Sequence, residues 1–246
     1  MNNYEFCTYW VLEQKLGSEA RVLDYGCGAG EIVKELKKAG INAFGCDVFY
    51  DGGYPAKDNR PDPLGGVVKE MENSIIPFDN NYFDFVINNQ VMEHVEDMDV
   101  VLSEINRVLK PGGVVLSLFP DKGVWREGHS GVPFLHWFPK GSRAAIYYAA
   151  TFRFFGLGHH KQIKGKMNFA KIICGWIDRW TFYRSAAEIQ NIYGKYFVGT
   201  KHIEDYWFRA RYGSRFAIAS SLPTTAQRFL VRKLGGLVFT SSKQAA

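Results

Sequence analysis

Residues 21–30 read Arg21-Val22-Leu23-Asp24-Tyr25-Gly26-Cys27-Gly28-Ala29-Gly30. The apolar run that ends at Tyr25 is typical of a buried strand, and the glycines after it indicate a tight turn. Apolar residues then recur at helical spacing until Gly40, and glycine commonly ends helices. The stretch therefore predicts a strand, a turn and a helix, with a turn backbone that can come close to a ligand.

The same alternation continues along the first half of the chain. Apolar runs at 42–47, 83–88 and 114–118 predict three further strands, and a helical pattern spans 98–109. Strands that alternate with helices predict a parallel sheet covered on both faces. Ligands of such sheets bind beyond the carboxyl ends of the strands, so the residues just after each strand are candidates for function.

Two acids near these strand ends indicate which ligand the turn accepts. Asp24 lies inside the first strand, where it would repel a pyrophosphate and attract a cationic group. Asp47 lies at the end of the second strand, roughly 20 residues after the turn, where a carboxylate can accept hydrogen bonds from a ribose diol. The G-x-G-x-G spacing differs from the G-x-G-x-x-G of nicotinamide and flavin sites, so a nicotinamide-dependent oxidoreductase is the least favoured enzyme class.

The composition excludes several classes of protein. Of the 246 residues, 46% are hydrophobic and 15% aromatic, which excludes a disordered, collagen-like or coiled-coil chain. No apolar run reaches the roughly 18 residues of a membrane span, and the N-terminus lacks the pattern of a secretory signal. The 4 cysteines form no CxxC pair, which favours a reduced, cytoplasmic compartment.

Three motifs together resemble the class I S-adenosylmethionine-dependent methyltransferases of the type 11 kind. They are residues 22–30, the segment Ile76-Pro77-Phe78-Asp79-Asn80-Asn81-Tyr82-Phe83-Asp84, and the turn Leu109-Lys110-Pro111-Gly112-Gly113. The resemblance implies an α/β fold with a doubly wound, mostly parallel seven-stranded sheet, the Rossmann-like methyltransferase fold. Its last strand is antiparallel, and we expect Leu237-Val238-Phe239-Thr240 to form it.

The resemblance also implies S-adenosyl-L-methionine as the cofactor. Asp47 matches the family's ribose-binding acid, and Glu72 and Asn73 match the residues that flank the adenine. The full set expected to bind the cofactor is Asp24, Tyr25, Gly26, Cys27, Gly28, Asp47, Val48, Glu72, Asn73 and Asn89. The positive charge of this methyl donor suits the acidic first half of the chain, because residues 1–120 carry a net charge of −9 and residues 121–246 one of +14.

Three residues are candidates for the catalytic base that a hydroxyl acceptor needs. His129 is preferred, because an imidazole titrates near neutral pH and this one lies beside an acid in a long loop after the fifth strand. Asp121 in the same loop and His94 are the others. Met92-Glu93-His94-Val95 resembles a segment of quinone-biosynthesis O-methyltransferases, in which two acids and a histidine can hold a divalent metal. Gln90 stands where the first acid would be, so we expect no metal.

We expect one domain with four parts: an N-terminal helix (1–19), a donor-binding core (20–120), a loop and helical cap on the acceptor side (121–196), and the last strand pair (197–246). The cap is rich in aromatic and basic residues, with helical patterns at 144–155 and 169–183. Three explanations of it stay open. Its aromatic residues form its own core, or they line an acceptor pocket for sugars and phosphates, or they dock on an anionic membrane.

The favoured function is O-methylation of an anionic or carbohydrate-like acceptor in a biosynthetic pathway. That acceptor is either a phosphorylated or glycan-like small molecule or a lipid-linked one. The enzymatic alternative is a quinone or small aromatic acceptor, and the non-enzymatic alternative is a catalytically silent scaffold that binds S-adenosylmethionine. No nucleic acid partner is expected, because no RNA-binding motif accompanies the basic residues. The expected location is cytoplasmic, with peripheral membrane contact as the alternative.

Overall fold

A computed structural model describes residues 1–49, 66–212 and 222–245 of the chain. Within these ranges the strands are β1 (Arg21–Tyr25), β2 (Asn42–Asp47), β3 (Val68–Glu70), β4 (Phe83–Asn89), β5 (Leu109–Phe119), β6 (Val198–His202) and β7 (Leu237–Ser242). They form one sheet in the order β3-β2-β1-β4-β5-β7-β6. Strand β7 is antiparallel to both of its neighbours, and the other pairings are parallel. The predicted mostly parallel seven-stranded sheet is therefore confirmed.

Helices cover both faces of this sheet. They are α1 (Asn3–Glu13), α2 (Glu31–Lys38), α3 (Met98–Val108), α4 (Arg143–Phe154), α5 (Lys166–Trp180), α6 (Ala186–Tyr196), α7 (Glu204–Tyr212) and α8 (Thr224–Leu234). One hydrophobic core packs α3 and α6 against the sheet, and a second packs α1, α2, α7 and α8. No described helix is long and apolar enough to cross a bilayer.

The register of the central strands explains where a ligand can bind. Strand β1 pairs with β2 and β4, and its residues Val22 and Leu23 are fully buried, as expected for a strand covered on both faces. Tyr25 pairs with Cys46 on one side and with Asn88 on the other. The three strands therefore end together, and the residues that follow them share one edge of the sheet.

The cap predicted after the fifth strand is present as α4 and α5. These helices pack around a core of their own, which includes Ala149, Phe169 and Ile173. Two further groups of cap aromatic residues lie outside this core or at its edge. Tyr147, Phe154 and Phe155 are exposed on α4 and just after it, and Trp176 and Trp180 of α5 line a cavity.

Several elements differ from the sequence-based expectations. Strand β5 begins at Leu109 rather than at 114, because Leu109 already pairs with Phe83 across an irregular register. The short strand β3 was not predicted. The last segment was predicted as a strand pair, but it also contains α7 and α8, which lie between β6 and β7.

Candidate active site

The carboxyl ends of β1, β2 and β4 border a cavity of about 750 Å³. Its wall also includes His129 from the loop after β5 and the two tryptophans of α5. Tyr4 of α1 contributes to the wall, while Phe6 and Trp10 of that helix are buried in the core. This volume lies within the range of ordinary small-molecule sites.

The turn after β1 has a backbone that favours glycine. Gly26, Gly28 and Gly30 have φ angles of 72°, 50° and 71°. A Cβ atom on Gly26 would lie only 2.4 Å from Cγ2 of Val91, so the turn and the segment after β4 are in close contact. Gly30 is also the N-cap of α2, whose first N–H groups have no partner within the helix. The turn therefore offers a ligand close access to the backbone.

Asp47 ties the end of β2 to this turn. Its Oδ2 accepts a hydrogen bond from the backbone N–H of Gly28, and its Oδ1 accepts one from the N–H of Phe49, both at 2.8 Å. These two bonds fix the carboxylate in the cavity wall. Each carboxylate oxygen keeps further lone pairs, which can accept hydrogen bonds from the hydroxyls of a bound ribose.

Asp24 is a buried carboxyl group in the same wall. Burial raises the pKa of Asp24 well above its ordinary value, and the nearby charge of Asp47 raises it further. A cationic group bound in the cavity would act in the opposite direction, because a neighbouring positive charge favours the ionised form of an acid. The two carboxyl groups thus make a wall suited to a ligand with positive charge.

The raised pKa of Asp24 predicts a pH-dependent effect of the substitution Asp24→Asn. Because the folded chain holds the proton to a higher pH than the unfolded chain, the stability from this group is present at low pH. It is lost as pH rises through the raised pKa. Near pH 4 we expect the Asp24→Asn variant and the original chain to have the same free energy of unfolding. At neutral pH the free energy of unfolding of the variant should be higher by about 1–3 kcal/mol. Denaturant titrations at both pH values measure this, with the exposed Asp79→Asn as the control that should show no such trend.

A second part of the wall contains three side chains, which we call the Glu–His–His corner: Glu93, His94 and His129. Glu93 and His94 lie in a 3-10 turn after β4, and His129 lies in the loop after β5. One carboxylate oxygen or ring nitrogen of each residue lies within 4.8 Å of those of the other two. The rings of the two histidines are 5.0 Å apart.

Burial dominates the electrostatics of the first two residues. It raises the pKa of Glu93 to about 7, and neither carboxylate oxygen has a hydrogen-bond partner among the described residues. Burial also lowers the pKa of His94 to about 4. The Nδ1 atom of His94 lies 2.6 Å from the carbonyl oxygen of Trp180. A neutral His94 therefore donates from Nδ1 and carries its lone pair on Nε2.

Glu127 fixes the orientation of His129, the third residue of the corner, by a hydrogen bond. Its Oε1 accepts hydrogen bonds from Nδ1 of His129 and from the hydroxyl of Tyr183, both at 2.8 Å, and its Oε2 accepts one from the N–H of Ser130 at 2.6 Å. Burial favours a higher pKa for Glu127, but the hydrogen bonds from His129 and Ser130 and the charge of His129 lower it to about 2. For His129, burial alone would lower the pKa. The hydrogen bond to Glu127 and the negative charge of Glu127 outweigh burial, so the pKa of His129 is raised.

Most residues predicted as functional lie in the cavity wall. They are Asp24, Tyr25, Gly26, Cys27, Gly28, Asp47, Val48, Asn89, His94 and His129. Asn89 is buried, and neither atom of its side-chain amide has a hydrogen-bond partner among the described residues. It can therefore offer a donor and an acceptor to a ligand.

Three predicted residues lie outside this wall. Glu72 and Asn73 are exposed, although their neighbours Met71 and Ser74 line the cavity. Asp121 is buried beside Lys233 of α8, and burial raises its pKa. The structure thus gives these three side chains no contact with the cavity, and the roles assigned to them stay predictions.

The sequence left open whether the aromatic residues of the cap form its core, line an acceptor pocket or dock on a membrane, and two of its tryptophans line the cavity. Trp176 and Trp180 are four residues apart on α5, a spacing that puts both on one face of a helix. The ring of Trp176 lies 4.7 Å from that of His129. The spacing was visible in the sequence, but which helix face meets the cavity depends on how the cap packs.

The strands that border the cavity coincide with a known domain. A family model described as a methyltransferase domain matches residues 23–117, which run from β1 to β5. Residues 23–117 are therefore a methyltransferase domain, as the resemblance to the class I S-adenosylmethionine-dependent methyltransferases predicts. The matched methyltransferase domain contains the glycine turn, Asp47 and the first two residues of the Glu–His–His corner.

Similar proteins agree with this methyltransferase family. A sterol 24-C-methyltransferase of Gibberella zeae is 36% identical over 100 residues, which are 38% of this chain and 26% of that protein. A ubiquinone biosynthesis O-methyltransferase of Dinoroseobacter shibae is 28% identical over 127 residues, 50% of this chain and 51% of the relative. The chain thus spans about half, or less, of the length of these curated relatives.

A solved structure shares the fold over nearly the whole chain. Phosphoethanolamine N-methyltransferase 2 of Haemonchus contortus, in complex with S-adenosyl-L-methionine, aligns with a TM-score of 0.55 and 15% identity. The alignment covers 98% of this chain and 53% of that one. At this identity the likeness is one of fold.

Proposed function

We propose that this chain transfers the methyl group of S-adenosylmethionine to a small-molecule acceptor held at the Glu–His–His corner. One observation carries the proposal. A single cavity wall contains both the glycine turn with Asp47, which suits the donor, and His129 backed by Glu127, which suits a proton-bearing acceptor. Methyl transfer needs these two ligands side by side, because acceptor atom, methyl group and sulfur must lie in line.

The donor is proposed to bind with its ribose on Asp47 and its positively charged sulfur and amino group in the field of Asp24. The glycine turn leaves room for the amino acid part of the donor. Val48 and Met71 supply apolar surface for the adenine, and Asn89 offers its unpartnered amide. This arrangement also places a positive charge near Asp24, which would stabilise the ionised form of this buried carboxyl group.

His129 is proposed to act on the acceptor. Glu127 holds Nδ1 of His129, which leaves the lone pair of Nε2 to take the proton of an acceptor hydroxyl. Because Glu127 is itself fixed by Tyr183 and Ser130, the imidazole keeps one orientation. His94 is the second candidate for the base, on the same wall.

Charge favours an anionic or carbohydrate-like acceptor. Residues 128–177 contain seven lysines and arginines and no acid. A phosphate would be attracted by such a segment. Trp176 and Trp180 supply flat faces on which a sugar or an aromatic ring can pack. A quinone or other aromatic acceptor would use the tryptophans but not the positive charge, so it is the alternative.

The exposed side of the cap supports a lipid-linked acceptor in particular. Tyr147, Phe154 and Leu157 are exposed there, and 72% of the surface of Phe155 is accessible. Nζ of Lys166 lies 4.7 Å from the ring centre of Phe154. Exposed apolar side chains among lysines and arginines are typical of surfaces that rest on anionic lipids, where a lipid-linked acceptor would be found.

A labelling experiment tests the proposal. The chain is incubated with methyl-labelled S-adenosylmethionine and with separate water-soluble and lipid fractions of a cell extract. We expect label in an anionic product that binds an anion-exchange resin, and label in the lipid fraction would favour the lipid-linked acceptor. Label in a neutral aromatic product would favour the alternative. Binding of the donor without transfer in any fraction would instead point to a silent scaffold.

A further inference from the structure

We infer that the Glu–His–His corner binds one divalent transition-metal ion through the carboxylate of Glu93 and the Nε2 atoms of His94 and His129. This deepens the proposed function, and it rests on that function only for what a bound ion does to the acceptor. The binding itself needs neither donor nor acceptor.

The side chain of Glu93 is the first argument. It is 2% exposed, it lines the cavity, and neither of its oxygens has a hydrogen-bond partner among the described residues. Buried polar groups in proteins are nearly always satisfied, and an unsatisfied carboxylate is among the most costly exceptions. A bound cation would supply the missing partner.

The anchoring of the two histidines is the second, independent argument. Nδ1 of His94 is bonded to the carbonyl oxygen of Trp180, and Nδ1 of His129 is bonded to Glu127. Histidine ligands of metals characteristically donate their other ring nitrogen to a carbonyl or a carboxylate, which fixes the tautomer and the direction of the lone pair. Both rings show that arrangement, and both lie within reach of the same carboxylate.

The chemistry of the donor set selects the ion. Two imidazoles and one carboxylate suit zinc, cobalt, manganese or iron better than magnesium, which prefers oxygen ligands. The sequence led us to expect no metal, because Gln90 replaces an acid in the segment after β4. The structure instead brings a third candidate ligand to this segment, His129 from the loop after β5.

A bound ion would change the role of His129. When bound, a divalent ion acts as a Lewis acid that lowers the pKa of a coordinated hydroxyl. The Nε2 lone pair of His129 then holds the ion and is not available to take a proton. Coordination and proton transfer are therefore alternative uses of one nitrogen, and Glu127 orients the ring for either.

Metal titration of the full chain tests the inference. The chelator-treated protein is titrated with Co²⁺, followed by visible absorption, and with Zn²⁺ and Mg²⁺, followed by calorimetry. We expect one Co²⁺ or Zn²⁺ per chain, a visible absorption band from coordinated Co²⁺, and much weaker binding of Mg²⁺. Glu93→Gln keeps the shape of the side chain and removes its charge. It should weaken Zn²⁺ binding at least about 100-fold, and His129→Gln should do the same.

Glu96→Gln is the matched control, because Glu96 is an exposed acid at the same cavity. It should leave Zn²⁺ binding within about twofold. Equal binding by Glu93→Gln and Glu96→Gln, or the lack of a Co²⁺ band in the original chain, would overturn the inference. Binding of S-adenosylhomocysteine to each variant verifies that it is folded. A chain that binds this nucleoside but no metal would leave His129 as the base, so failure of this inference is separable from failure of the proposed function.

Discussion

Asp47→Ala is expected to weaken the binding of S-adenosylhomocysteine by about 100- to 1,000-fold. Hydrogen bonds to a charged acceptor contribute about 1.5–3 kcal/mol each, and the proposed site has the two ribose hydroxyls bound by one carboxylate. The substitution also removes the hydrogen bonds that Asp47 accepts from the N–H groups of Gly28 and Phe49. The glycine turn is then no longer hydrogen-bonded to the side chain at the end of β2. Isothermal titration calorimetry of the full chain measures the change in Kd.

Glu72→Ala is the control for this prediction. Glu72 was expected from the sequence to flank the adenine, but its side chain is exposed and lies outside the cavity wall. We expect its removal to change Kd by less than about threefold, the equivalent of roughly 0.6 kcal/mol. If Asp47→Ala bound the nucleoside as tightly as the original chain, the ribose would have to bind elsewhere. A large loss in Glu72→Ala would instead support the sequence-based assignment.

His129→Ala is expected to lower turnover by about 100- to 10,000-fold, the usual contribution of a positioned acid or base. Its effect on donor binding should stay within about twofold, because the proposed donor contacts lie at the glycine turn and Asp47. The prediction holds whether His129 accepts a proton or coordinates an ion, since both uses need the imidazole. Single-turnover transfer of a labelled methyl group separates the chemical step from binding.

Two further variants sharpen that result. Tyr183→Phe removes one of the hydrogen bonds that fix Glu127 and should lower turnover about tenfold or less. His159→Ala removes an exposed histidine of the same cap, outside the cavity wall, and should leave turnover unchanged. Retention of full turnover in His129→Ala would exclude the proposed role. Loss of both turnover and donor binding would indicate a structural effect.

Local sequence determines much of the observed fold. Strands β1, β2 and β4 are apolar runs that end in glycine or in polar residues, so their positions followed from pattern alone. Strand β3 is only three residues long and gives no such pattern. The start of β5 was misjudged because Pro111, Gly112 and Gly113 are typical of a turn. Pairing with β4 nevertheless extends the ladder back to Leu109.

The donor side of the site could be predicted from the sequence more completely than the Glu–His–His corner. On the donor side, the glycine turn and Asp47 follow neighbouring strands of a parallel sheet, so topology alone brings them to one edge. The Glu–His–His corner depends on the path of the loop after β5, which periodicity does not describe. The sequence suggested His94 and His129 separately. Glu93 was visible as the neighbour of His94 in the segment after β4. The meeting of this segment with His129, and the anchoring of both rings, became visible only in three dimensions.

The cavity wall is formed by both halves of the chain, which differ in composition and charge. The first half supplies the acids that suit a cationic donor, and the second supplies His129, the tryptophans and the basic cap. The matched family domain covers only the first of these contributions. The acceptor therefore has to be sought through the cap, which lies outside the matched residues.

A crystal structure of the chain with S-adenosylhomocysteine tests the central claim most directly. We predict that the ribose hydroxyls bind the carboxylate of Asp47 and that the sulfur faces the Glu–His–His corner, with open space between it and His129. A nucleoside bound away from the glycine turn, or a sulfur that faces away from His129, would contradict the account.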